Sequence, residues 1–184
     1  MSRTTTTDDS STEHRVASVD EIVVEAADVI GAMKRNYRDQ DQQRSHVLRI
    51  TPPFEGTHTA STHVSEAHTR YPSDLTQPYH IKPEAFLTGY TDPDKIYKEL
   101  ESVCEHPPIS ESRSRFRDEY NAYDKHGEPL PIEGELQEQW NQWWDTEMEV
   151  WEDQVHHALK NITTLKIHDR HPDVESTTVN VTVE

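Results

Sequence analysis

Residues 132–162 read IEGELQEQWNQWWDTEMEVWEDQVHHALKNI, and all four tryptophans of the chain lie in this stretch. From Trp144 to Ile162 the apolar residues recur at intervals of four and three, the spacing that lines one face of an α-helix. Acidic side chains occupy the opposite face. The stretch therefore predicts a long amphipathic helix over about 133–162, whose indole rings supply much of the hydrophobic core.

Strand patterns occur on both sides of this helix. Residues 46–64 alternate apolar and polar positions around Pro52, Pro53 and Gly56, which predicts an antiparallel hairpin. Residues 163–183 alternate in the same way around a polar connection and predict a second hairpin. We expect an α+β fold in which the two hairpins form one antiparallel sheet packed against helices.

Shorter helices are predicted before and between these elements. Ser18 has the pattern of an N-cap with Glu21 as its capping-box partner, and apolar residues follow at helical spacing to about Arg38. Asp92 followed by Pro93 is typical of a helix start. A further helix is expected from Ser110 or Ser112, carrying the aromatic residues Phe116, Tyr120 and Tyr123.

The chain is expected to form one domain with a tail. Residues 1–17 are polar and lack hydrophobic periodicity, which predicts a disordered tail, and residues 18–184 suit a single α+β domain. Cys104 is the only cysteine, so no disulfide can form within one chain. No leader-like segment or long apolar run is evident, and we therefore expect a cytoplasmic protein that does not enter a membrane.

The charge balance restricts the partners. Thirty-five acidic residues against eighteen basic ones give a formal net charge of -17. Nucleic acids and anionic membranes are disfavoured as direct partners of such a surface. The same balance is typical of proteins that work in molar salt, where the Debye length falls to about 3 Å and the charges no longer repel one another at a distance.

Two short segments carry a family resemblance. LRITPPF at residues 48–54 and YHIKPEAF at residues 79–86, together with the acidic composition, resemble small acidic haloarchaeal proteins of unknown function. The resemblance implies adaptation to high salt. It implies no activity, cofactor or site residue.

The twelve histidines raise the question of a metal site. Asp153 and His156 share a helix face at a spacing of three, which is one part of the ligand pattern in carboxylate-bridged metal bundles. His168 and His171 could approach each other in a turn. Because the other ligands of such sites are not evident, histidines facing solvent are the leading interpretation, and a metal-dependent enzyme is the alternative.

Two surfaces could bind partners. Arg113 and Arg117 fall on one helix face near Phe116, a pattern that can hold phosphate groups or bases, although neighbouring acidic residues favour ion pairs instead. Trp143 lies about 100° around the helix from Trp144, at the edge of the apolar face, and aromatic residues are enriched at interfaces. We hypothesise that Trp143 contributes to a partner or self-association surface.

These patterns favour a non-enzymatic interaction or accessory protein of a salt-adapted cytoplasm. Its partner would be an unidentified protein or a second copy of the chain. The sequence predicts no catalytic residue and no cofactor. The alternatives are a metal-dependent enzyme that uses Asp153 and His156, and a nucleic-acid-associated protein that uses the cluster from Arg113 to Arg117.

Overall fold

A computed structural model describes residues 18–38, 44–66, 77–104, 109–168 and 176–184. The predicted tail at 1–17 lies outside the described residues, as do parts of the predicted connections. The elements in chain order are β1 (Val19–Val24), α1 (Ala26–Arg38), β2 (Arg44–Ile50), β3 (Gly56–Glu66), β4 (Tyr79–Ile81), α2 (Ala85–Thr88), α3 (Pro93–Val103), α4 (Ile109–Glu119), α5 (Glu135–Asn161), β5 (Thr164–Ile167) and β6 (Thr177–Val183).

The strands form one six-stranded sheet in the order β4-β2-β3-β1-β6-β5. Both predicted hairpins are present, since β2 pairs with β3 and β5 pairs with β6 in antiparallel orientation. Strand β1 lies between the two hairpins and runs parallel to β3 and to β6. The α+β fold is therefore confirmed, but the sheet is mixed.

The prediction of a purely antiparallel sheet was wrong because the segment after Ser18 is a strand. Helix α1 begins only at Ala26, so the predicted N-cap at Ser18 was also wrong. Ile22 and Val24 are fully buried and alternate with more exposed neighbours. β-Branched residues suit a strand, and hydrogen bonding to neighbours on both sides stabilises it in the centre of the sheet.

The predicted long helix is confirmed as α5, which runs for 27 residues. Its buried face divides between two clusters. Trp151 joins the main core with Val155 and Leu159, whereas Trp140 and Trp143 pack with Phe116 of α4 in a smaller cluster. The prediction that the indole rings supply much of the core therefore applies to the smaller cluster. In the main core, most of the buried side chains come from the sheet and from the other helices.

The two faces of the sheet differ in polarity. One face carries buried residues such as Leu48 and Ile50 and shares the main core with α1, α2, α3 and α5. The other face is polar. There Glu21 accepts hydrogen bonds from Thr57 and Thr182, at 3.2 and 2.6 Å, and so connects β1 to both of its neighbours. None of the described helices is both long and apolar enough to cross a membrane.

Candidate functional site

An open groove of about 670 Å³ runs beside the C-terminal half of α5. Its volume falls within the range of ligand-binding clefts. Apolar side chains form most of the surface, and polar groups lie among them. The lining residues are Leu87, Val103, Val150, Asp153, Gln154, His157, Ala158, Asn161 and Ile162.

The periodicity of α5 explains why these residues meet. Positions 150, 154, 157 and 161 follow at steps of four and three, so they lie on one face of the helix. This face is adjacent to the buried face that contains Trp151 and Val155. Leu87 from α2 and Val103 from the end of α3 complete the groove. The groove thus depends on how the two shorter helices dock against α5.

Two valines of the groove are unusually exposed for large apolar side chains. Val103 is 39% exposed and Val150 is 54% exposed. Single exposed apolar residues are common on protein surfaces, but two that line the same groove form a patch that a partner can cover. Covering the apolar part of the groove would therefore contribute favourable free energy to the binding of a partner.

The charge around the groove is negative. Helix α5 carries seven carboxylates and one lysine. Two of these carboxylates are ion-paired, because Glu147 contacts Arg115 at 2.9 Å and Glu152 contacts Lys34. Asp153 lies in the groove and is exposed. The net charge of α5 and the carboxylate of Asp153 therefore favour cations over anions near the groove.

Cys104 lies beside the groove but is only 3% exposed. Its Sγ is 3.7 Å from Oε1 of Gln154 and 3.9 Å from the carbonyl oxygen of Trp151. Burial raises the pKa of the thiol to about 11. A thiol that remains protonated at neutral pH is a poor nucleophile, so Cys104 acts here as a packing residue.

The sequence-predicted metal candidates occupy separate places. Asp153 and His156 are both exposed on α5, and the imidazole that shares the groove with Asp153 belongs to His157. His168 has its Nε2 3.3 Å from Oδ2 of Asp92, which links β5 to the start of α3. His171 lies outside the described residues. Within the described ranges, no three His, Cys, Asp or Glu side chains are grouped so that they could hold a metal ion.

Trp143 packs inside the chain in this structure. It is 8% exposed, and its Nε1 donates a hydrogen bond of 2.8 Å to Oε2 of Glu119. The guanidinium carbon of Arg115 is 5.5 Å from the centroid of the Trp143 ring. The partner surface hypothesised at Trp143 remains a prediction, and it would require binding at the edge of the α4–α5 contact.

The predicted arginine pair is divided between two environments. Arg113 is exposed, whereas Nε of Arg117 donates to the carbonyl oxygen of Leu130 at 3.4 Å. Arg115 lies within the predicted cluster but was not singled out from the sequence, and it is the arginine that contacts Trp143. A role of Arg113 and Arg117 in binding phosphate groups remains a prediction.

The groove itself was also overlooked in the sequence. Val150 provides the signal that could have revealed it, because it is an apolar residue between Glu149 and Trp151 that does not belong to the predicted stripe. An apolar side chain outside the buried face of a helix indicates either a second packing contact or a binding surface.

Comparison with known proteins identifies a family. The model of a domain of unknown function, DUF8009, matches residues 8–183, which is nearly the whole chain. The chain therefore belongs to this family. No curated protein and no solved structure matches the chain.

Proposed function

We propose that this member of the DUF8009 family is a non-enzymatic binding protein of the cytoplasm. Its groove beside α5 binds a basic, amphipathic helical segment of a partner protein. The observation that carries the proposal is the combination of exposed Val103 and Val150 with the acidic helix that forms the groove.

The apolar side chains support a helix as the occupant. A groove of about 670 Å³ accommodates a few side chains but leaves them open to solvent on one side. Amphipathic helices bind such grooves through apolar residues at spacings of three and four. Covering each exposed valine would contribute about 1.5 kcal/mol to binding.

The charge supports a basic partner. Helix α5 has one lysine against seven carboxylates, so Lys and Arg residues flanking the apolar positions of the partner would find complementary charges. The same charge opposes an acidic helix with identical apolar residues. Charge thus provides the specificity of the proposed interaction, and the apolar contacts provide its affinity.

We further propose that the protein works in high salt. The support is the net charge of -17 together with the resemblance of residues 48–54 and 79–86 to haloarchaeal proteins. In molar salt only charges at near-contact distance retain their attraction, because screening acts over about 3 Å. The ionic contacts of the partner would therefore have to be direct.

The proposal is tested with a pair of fluorescently labelled peptides. One has leucines at helical spacing and lysines elsewhere, and the other replaces every lysine with glutamate. Fluorescence anisotropy is measured at the lowest KCl concentration that keeps the protein folded. We expect saturable binding of the lysine peptide alone. Equal binding of both peptides, or of neither, would refute the basic amphipathic partner.

The contribution of the groove to charge recognition has a matched control on the same helix. Asp153→Asn removes a carboxylate that lines the groove, and Asp145→Asn removes an exposed carboxylate outside it. We expect the first substitution to weaken binding of the lysine peptide about threefold more than the second, as for the loss of one ion pair of 0.5 to 1 kcal/mol. An equal effect of both would place the binding elsewhere on the acidic surface.

A further inference from the structure

A second cluster of polar side chains lies on the sheet face opposite the helices. Arg49 is in the middle of it, because β2 lies between β3 and β4. Arg49 pairs with Ser61 of β3 on one side and with His80 of β4 on the other. Its neighbours Leu48 and Ile50 are fully buried on the core face, which directs the arginine to the polar face.

Two imidazole rings approach each other above β2. His63 of β3 and His80 of β4 have ring centroids 5.3 Å apart, with 32° between the ring planes. Their strands lie on opposite sides of β2, and two strand spacings amount to roughly 9 to 10 Å. The side chains therefore lean toward each other over β2. Val47, which pairs with His63, is only 6% exposed.

One donor of the Arg49 guanidinium group is unsatisfied in the part of the chain that the structure describes. Its Nε is buried and has no hydrogen-bond acceptor. Among the residues that the structure describes, no carboxylate forms an ion pair with Arg49, although the chain contains thirty-five acidic residues. A buried charged donor without a partner carries a free-energy cost, which an anionic ligand would remove.

The protonation state of His63 determines how much positive charge it adds to that of Arg49. Burial lowers the pKa of His63, and the positive charge of Arg49 lowers it further. A neutral imidazole can still donate one hydrogen bond. Arg49 and a neutral His63 together then carry one positive charge and offer hydrogen-bond donors from both side chains. This combination matches a ligand group that carries one negative charge.

We propose that Arg49 and His63 form a binding site for a carboxylate group. The Nε–H and one Nη–H of Arg49 point along one edge of the guanidinium plane, and a carboxylate binds such an edge with two parallel hydrogen bonds. Because Nε of Arg49 is shielded from solvent, the side chains around it must shift to admit the ligand. His63 donates a third hydrogen bond. The carboxylate can belong to a small organic acid or to the C-terminus of a peptide, since both present the same group.

The test follows the Nε–H signal of Arg49 and the ring signals of His63 by NMR in the full chain. Potassium acetate replaces potassium chloride at constant ionic strength, so that only the anion changes. We expect a saturable shift of both residues with acetate. A shift that is linear in acetate, or no shift, would overturn the proposal. Tighter binding of potassium phosphate than of acetate would overturn the assignment to a carboxylate.

Two variants separate this site from general attraction of anions. Arg49→Lys retains the charge but loses the planar donor edge, and we expect acetate binding at His63 to weaken at least about tenfold. The control is Arg44→Lys on the same strand, where Arg44 contacts Glu66 at 3.4 Å and is exposed. Equal weakening in both variants would contradict the site. If Arg49→Lys does not fold, the comparison of acetate, chloride and phosphate in the unaltered chain still tests the proposal.

The source of the carboxylate is distinguished with acetyl-diglycine and its C-terminal amide. Stronger binding of the free acid than of acetate, with no binding of the amide, would identify a peptide C-terminus as the ligand. Acetate binding that the peptide acid does not exceed would identify a small organic acid. Binding of the amide as strongly as the acid would contradict the proposal, because the amide has no carboxylate.

Discussion

At the scale of single residues, Cys104 shows how burial determines chemistry. The thiol is 3% exposed beside the groove, and its pKa is raised to about 11 because burial removes water from the thiolate. The folded state therefore holds the proton more tightly than the unfolded chain. This contribution to stability is present below pH 9 and is lost as the pH rises toward 11.

The reactivity of Cys104 tests this account. At pH 8 the shift from 9.0 to about 11 leaves roughly a hundredfold less thiolate in the folded chain than in the unfolded one. We expect labelling by a thiol reagent to be slower by at least this factor in the folded protein. The rate is followed spectrophotometrically with and without denaturant. Equal rates in folded and unfolded protein would show that Cys104 is accessible and ionised.

At the scale of elements, the pattern of α5 was sufficient to predict it. Its helical spacing continues for more than seven turns, and no glycine or proline interrupts it between Glu135 and Asn161. The two hairpins were predicted from alternation and from the turn residues between the strands. Long periodic segments therefore carried enough local information to identify their own structure.

Strand β1 was not predictable in the same way. Its six residues are compatible with both helical and strand spacing, and the capping-box pattern at Ser18 favoured the wrong alternative. Pairing with β3 and β6 determines that this segment is a strand. These two strands lie more than thirty and more than one hundred and fifty residues away along the chain. Such long-range hydrogen bonding is not visible in a local pattern.

The candidate sites were even less accessible to sequence reasoning. The groove requires Leu87 and Val103 to dock against α5, and this contact depends on three separate helices. The Arg49 cluster depends on the register that places His80 opposite Arg49 and Val47 opposite His63. A shift of one residue in either pairing would move one of these side chains to the opposite face.

The division of the core into two clusters predicts unequal stability among the elements. Helix α4 contributes Phe116 to the smaller cluster, whereas the sheet belongs to the main core. We expect Phe116→Ala to increase amide hydrogen exchange in α4 at least about tenfold and to change exchange in β1 much less, because α4 can open locally. Exchange is measured by mass spectrometry on peptic peptides.

The matched substitution for this test is Tyr97→Ala, which removes an aromatic ring that is 65% exposed on α3. It should leave exchange in α4 unchanged. Equal acceleration of exchange in α4 and β1 by Phe116→Ala would show that the two clusters unfold as one unit.

At the scale of the whole molecule, we expect the net charge to limit stability at low salt. A net charge of -17 creates repulsion that opposes the compact state at low ionic strength, and salt screens this repulsion. We expect the Tm to rise steadily between low and molar KCl. Circular dichroism melts with sucrose in place of the salt provide the control for general solute effects. A Tm that does not depend on KCl would contradict adaptation to high salt.

The proposed binding surface of the molecule is the groove beside α5. Val150→Lys and Asn141→Lys place the same charge at exposed positions of this helix, but Val150 lines the groove, whereas Asn141 lies about 180° around the helix from it. The deciding measurement is the affinity of each variant for the lysine–leucine peptide by fluorescence anisotropy. We predict that Val150→Lys weakens binding about tenfold or more, since it removes an apolar contact of about 1.5 kcal/mol as well as adding a like charge. Asn141→Lys should change binding less than about threefold, as expected for an added surface charge. The same loss in both variants, or no loss in Val150→Lys, would contradict the assignment of the groove.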